Sequence, residues 1–226
     1  MKNNNMLHIM GLGGLCWTGG ILSRMPNSQF YKGPSYNIRH QKGIELVKYL
    51  FNGQFIDIIN KGECKKVEKL DSEKYPYDTN GDYKYEFQDY VLIHDNYDEK
   101  FLGKTHDLYD GFLRFLELHK EHPNYIFVYG CNMHDKNYTD EELYEIKSEL
   151  SKYINLERFF VMGSISEPSI KHGDKYEGRP VRHKHDYNND NFKTVFGDNY
   201  IELYPANVYC LCAENLEKII RDKIHM

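Results

Sequence analysis

Three runs constrain the fold most: MLHIM at residues 6–10, YIFVYG at 125–130 and RFFVMG at 158–163. Each is a short apolar stretch bounded by glycine or polar residues, the pattern of a buried strand. Between them the apolar residues change period. KGIELVKYLF (42–51) places Ile44, Val47 and Phe51 at helical spacing, and residues 99–121 set Leu108, Phe112, Phe115 and Leu116 on one face of a long amphipathic helix. TDEELYEIKSELSKY carries Glu142 three residues after Thr139, a capping box that opens another helix. Strands alternating with helices of this length predict a single α/β domain over residues 1–226, with a mostly parallel sheet flanked by helices.

The remaining segments fill in around that frame. QFIDII reads as a strand or as a continuation of the helix before it, and the polar stretch 61–82, with Pro and Gly, reads as a long connection. YKYEFQDYVLIHD is rich in aromatic and β-branched residues and reads as one strand ending near His94. Residues 164–190 are loop-like, NYIELY adds a strand and AENLEKIIRDKI a final helix. There is no internal repeat and no low-complexity tract.

A chain of 226 residues can bury a substantial core. With a formal net charge of −5 it lacks the basic footprint of a protein that neutralises many phosphates, so nucleic acid is not an expected partner. No window reaches the apolar length of a membrane span, and MKNNNMLHIMGLGG lacks the cationic, apolar and cleavage regions of an export signal. The five cysteines, Cys16, Cys64, Cys131, Cys210 and Cys212, are an odd number and fit a reducing compartment better than a disulfide framework. A cytoplasmic protein with no membrane contact is the expectation.

The first strand runs into the turn GLGGLC. If a helix spans residues 15–24, Cys16 lies in its first turn, where unpaired backbone N–H groups and the helix dipole favour a thiolate, the nucleophilic form of sulfur. Gly13 and Gly14 allow a tight turn, and their N–H groups are candidate donors to an oxyanion. Trp17, the chain's only tryptophan, joins them as a candidate substrate-binding residue. Two other readings stand beside this one. Free cysteine is often simply packed in a core. A dinucleotide site would match only the first two glycines of G-x-G-x-x-G, Gly11 and Gly13, with Cys16 in the third place and no acidic residue after a second strand.

MGLGGLCWTGGIL, a strand, a glycine turn and a cysteine heading a helix, is joined by GPSYNIRH, by YVLIHD and by YDGFLRFLELHKEHPNYIFVYG. Over roughly residues 6–130 this arrangement resembles a bacterial family of papain-like cysteine peptidases, otherwise described as a domain of unknown function. The resemblance implies Cys16 as nucleophile and His94 as its base, within a papain-like catalytic arrangement. The chain departs from the family at Tyr36, Asn37 and Ile38, where the family has an aromatic residue, Asp and Trp. An amide oxygen can still accept from an imidazole N–H, as in Cys-His-Asn sites, so Asn37 is the first candidate for orienting the ring.

The residues also speak for His94 on their own. Imidazole can hold a thiol as thiolate and later protonate a leaving group near neutral pH. If the His94 strand runs parallel to the first, both end on the carboxyl edge of the sheet, where sites gather. The alternative is a strand-end histidine bonded to backbone. Asp95 points to the opposite face of the strand from His94, and Asn132 and Asp135 are the other candidate orienters.

His172, His183, His185 and Asp186, with Asp174 or Asp190, form a second histidine set that reads as a solvated loop or a flap rather than a metal site. Cys210 and Cys212 make a lone C-x-C, better read as part of an apolar segment than as a zinc site. Asp78, Asn80, Asp82 and Glu86 miss the glycine and glutamate positions of a calcium loop and read as a turn. No metal and no cofactor are expected. The sequence thus points to a cysteine-dependent hydrolase or acyl transferase acting on a peptide or a small amide or ester. The alternative is a non-catalytic domain that grips a nucleotide or sugar phosphate in its glycine turn.

Overall fold

The computed structural model of the chain describes residues 6–12, 16–32, 38–39, 43–54, 64–67, 84–87, 90–92, 117, 125–131, 137–164, 190–203 and 209–225; for some of these, Cys16 and Trp17 among them, it describes the backbone alone. The elements in chain order are β1 (Leu7–Gly11), α1 (Cys16–Leu22), β2 (Ser28–Lys32), β3 (Ile38–Arg39), α2 (Gly43–Asn52), β4 (Cys64–Val67), β5 (Lys84–Phe87), β6 (Tyr90–Leu92), β7 (Ile126–Gly130), α3 (Asp140–Leu150), β8 (Phe159–Ser164), α4 (Asp190–Phe196), β9 (Tyr200–Leu203) and α5 (Tyr209–Lys223).

Five strands form an all-parallel sheet in the order β2-β1-β7-β8-β9. The α/β class and the parallel sheet read from the sequence are therefore present. Alternation along each strand divides the core between the two faces of the sheet, as the pleat requires. On one face Met10, Leu12, Phe127, Tyr129, Phe159 and Val161 pack with Leu46, Leu50, Leu143 and Phe192 from α2, α3 and α4. On the other, Leu7, Ile9, Ile126, Val128, Phe160 and Met162 pack with Ile21, Leu22, Leu216 and Ile220 from α1 and α5. Both sides of the sheet are covered, which is why β1, β7 and β8 read as continuous apolar runs.

α1 has seven residues and contains Gly19 and Gly20, so it is too short and too glycine-rich to persist alone. Packing holds it, through the fully buried Thr18, Ile21 and Leu22. The turn after it is clamped from α5. Glu217 accepts from the backbone N–H of Asn27 at 3.0 Å, and Arg221 donates both to Glu217 at 2.8 Å and to the Asn27 carbonyl at 3.1 Å. α3 begins as expected from its capping box: Thr139 accepts from Glu142 N–H and the Glu142 carboxylate accepts from Thr139 N–H.

Other expectations are corrected. The segment YKYEFQDYVLIHD is not one strand of the parallel sheet; β5 and β6 reverse on each other, Phe87 pairing with Tyr90, within a separate antiparallel sheet of order β3-β6-β5-β4. The stretch 61–82, read as connection, contains β4. α2 stops at Asn52, and Gly53 follows with φ 82°; QFIDII beyond Gln54 lies outside the described residues. β2 and α4 had no strand or helix signal strong enough to be read. The amphipathic segment 99–121 lies outside the described residues apart from Glu117, and residues 165–189 lie outside them entirely. Among the described residues no helix is long and apolar enough to cross a membrane.

Candidate functional site

In open parallel sheets ligands bind beyond the carboxyl ends of the strands, at the point where strand order reverses. Here that point is β1. The chain leaves β1 through α1 to reach β2 on one side, while the strands on the other side, β7, β8 and β9, are joined through α3 and α4 on the opposite face. The carboxyl ends of β1 and β7 are therefore the edge at which this rule places a ligand.

β1 stays on β7 up to that edge. Gly11 is in register with Val128, and the backbone N–H of Leu12 donates to the Val128 carbonyl at 2.9 Å. The chain then crosses Gly13, Gly14 and Leu15, which lie outside the described residues, and resumes with Cys16 as the first residue of α1 and Trp17 as the second. Cys16 thus stands where the sequence analysis expected it, at the head of the helix after the first strand. The side chains of Cys16 and Trp17 are not among those described.

The other two candidate catalytic residues, Asn37 and His94, lie outside the described residues, as do Asp95, Asn132 and Asp135. What is described is the strand pair that adjoins the first two. β3 begins immediately after Asn37, β6 ends two residues before His94, and Ile38 is paired with Leu92 in antiparallel register. The chain comes from Asn37 and departs toward His94 at the same end of that pair. The expectation that the strand before His94 lies parallel to β1 is overturned, because β6 is hydrogen-bonded to β3 and β5 and both pairings are antiparallel.

β7 ends at the same edge as β1. Ile126, Val128 and Gly130 share the face covered by α1, and Tyr125, Phe127, Tyr129 and Cys131 share the other. Cys131, 7% exposed, is held at the end of the strand by its backbone N–H, which donates to the Met162 carbonyl at 2.9 Å. Tyr200 lies on its side of the sheet, with its hydroxyl buried and without a hydrogen-bond partner among the described residues. Burial pushes the Tyr200 phenol far above its ordinary range, and the neighbouring Cys131, Glu202 and Asp190 add to that push, so the ring stays neutral.

Sequence reasoning assigned no role to Thr18, Gly130, Cys131 or Tyr200. One signal was legible: YIFVYGC repeats the order of the first candidate, an apolar strand, then glycine, then cysteine. Among the described residues no group of three His, Cys, Asp or Glu side chains is placed to hold a metal ion. His172, Asp174, His183, His185 and Asp186 lie outside them, as do Asp78, Asn80 and Asp82, while Glu86 lies in β5 and Asp190 heads α4. Comparison of the chain with family models, with curated proteins and with solved structures finds no match.

Proposed function

We propose that the chain is a cysteine-dependent hydrolase or acyl transferase, with Cys16 as nucleophile, His94 as its base and Asn37 as the residue that orients the imidazole. The observation that carries the reading is the position of Cys16, which opens α1 beside the strand where the order of the parallel sheet reverses. The register of Ile38 with Leu92 supports the other two members, since it directs the chain from Asn37 and toward His94 at one end of a strand pair. The odd number of cysteines fits the reducing cytoplasm as the place where such a thiol works.

In this mechanism His94 takes the proton from Cys16, and the thiolate attacks the carbonyl carbon of a peptide or of a small amide or ester. Backbone N–H groups between Gly14 and Cys16 hold the resulting oxyanion, with Gly13 giving the turn its close approach and Trp17 bordering the substrate. His94 then returns the proton to the leaving amine or alcohol as the carbonyl reforms. Water or another nucleophile attacks the thioester and frees the acyl group.

The test is site-resolved thiol labelling at graded pH. Stoichiometric alkylation of Cys16 well below pH 8, lost in His94→Ala, is expected. The second reading, a non-catalytic domain holding a nucleotide or sugar phosphate, draws on the same strand-order reversal, which doubly wound sheets also use for phosphate groups. Labelling of Cys16 no faster than that of the other thiols favours the binder and removes the enzyme.

A further inference from the structure

We infer that Thr18, seated on Gly130, is the positioning residue that sets the first turn of α1, and through it Cys16, against the carboxyl end of β7. The inference rests on the reading of Cys16 as a nucleophile, and it names a residue that fixes the position of its backbone in this fold.

The geometry begins with alternation in β7. Ile126 and Val128 present large side chains to the face that α1 covers, and the next position on that face is Gly130. The missing side chain leaves room for a close approach, and Thr18 fills it. A Cβ built on Gly130 would fall inside 3.0 Å of the Thr18 hydroxyl oxygen and lie 3.1 Å from both Thr18 Cβ and Cγ2. Three atoms of Thr18 face that one point, and rotation about its χ1 leaves Cβ in place at 3.1 Å. The Thr18 side chain therefore seats the helix on the strand.

Thr18 is fully buried, and its hydroxyl has no hydrogen-bond partner among the described residues. Among the described residues it thus holds its place by shape. Thr18 shares a helix face with Ile21 and Leu22, which anchor the rest of α1 in the same core. Residues two apart on a helix do not face one another, so Thr18 acts on Cys16 through the backbone that carries it. In α1, which has poor helix propensity of its own, this contact decides where the first turn stops. A nucleophile displaced by an ångström loses reactivity steeply, because base and donors no longer meet the same atom.

The experiment measures the pH–rate profile of Cys16 alkylation by iodoacetamide, resolved by peptide mass spectrometry, in the full chain and three variants. Gly130→Ala is expected to slow Cys16 labelling about tenfold at pH 7 and to move its apparent pKa up by about one unit. Adding Thr18→Ala to Gly130→Ala removes the Oγ1 and Cγ2 atoms, leaving Cβ at 3.1 Å, and is expected to restore the rate to within about threefold of the unaltered chain. If Gly130→Ala does not fold, Thr18→Ala alone replaces it, with an expected fall of about threefold or more and the same upward shift. Fast, low-pH labelling that persists in Gly130→Ala, or in Thr18→Ala alone, overturns the inference and leaves the nucleophile standing. Slow labelling of Cys16 in the unaltered chain removes the nucleophile and the inference together.

Discussion

The hydroxyl of Tyr200 lies over Gly163, two residues along β8 from its register partner Val161, in the space a side chain at that glycine would need. The phenol is buried and its oxygen has no hydrogen-bond partner among the described residues. A buried hydroxyl without a partner costs about 1–3 kcal/mol, so Tyr200→Phe is expected to be neutral or to stabilise by up to about 1 kcal/mol in urea unfolding. Gly163→Ala forces the ring aside and is expected to destabilise by about 1–3 kcal/mol. The double variant recovers part of that loss, since the ring carbons remain tight against the new Cβ. A Gly163→Ala variant as stable as the parent would show that this close approach is not maintained.

The clamp between α5 and the turn after α1 should respond to acid. Burial raises the Glu217 carboxyl, but the backbone N–H of Asn27 and the Arg221 guanidinium outweigh it and hold the group below its ordinary value of 4.5. A carboxyl depressed in the folded state contributes stability above its unfolded pKa and loses that contribution as pH falls through the folded pKa. Glu217→Gln should therefore be less stable than the parent at neutral pH, with the difference shrinking below about pH 4.5. Stability curves that stay parallel from pH 6 to pH 3 would count against the clamp.

Thr139 caps α3 from an exposed position, with the reciprocal bond from Glu142 complete. Thr139→Ala is expected to cost about 1 kcal/mol, and Thr139→Asn much less, because Asn keeps an oxygen that can accept from the first turn. Chemical denaturation of the two variants side by side checks this, equal losses being the contrary result.

Asn199 holds the start of β8 in place. Its amide donates to the carbonyls of Leu156 at 2.6 Å and Phe159 at 3.1 Å, at the two ends of a 3-10 turn (Leu156–Arg158) that feeds the strand. Asn199→Ala strands both acceptors and is expected to cost about 1–3 kcal/mol. Asn199→Asp offers oxygens where donors are needed and should be at least as damaging; a tolerated Asp would mean that water serves these carbonyls.

Local pattern told the helices and buried strands apart where burial was two-sided or a cap was complete. β1, β7 and β8 were legible because strands covered on both faces spell uninterrupted apolar runs, and α3 because Thr139 and Glu142 satisfy backbone groups within one turn. β2 was not legible. It lies at an edge with β1 as its partner among the described residues, and Ser28, Gln29, Phe30 and Tyr31 are half-buried or exposed, so SQFYK carries little apolar signal. The hairpin of β5 and β6 was hidden because Gln88 and Asp89, between Phe87 and Tyr90, are not the glycine-bearing pair that marks a tight reversal.

The candidate site divides along the same line. The sequence by itself determined that Cys16 follows a buried strand and a glycine turn and heads a helix, because each of those steps is written in neighbouring residues. Only the tertiary structure decided that β1 is the strand at which the order reverses, that Ile38 meets Leu92, and that Thr18 rests on Gly130. Burial and backbone preference act over a few residues and leave a local trace. Pairing between segments many tens of residues apart is chosen by the summed packing of the whole core, for which no short stretch of chain carries a signature.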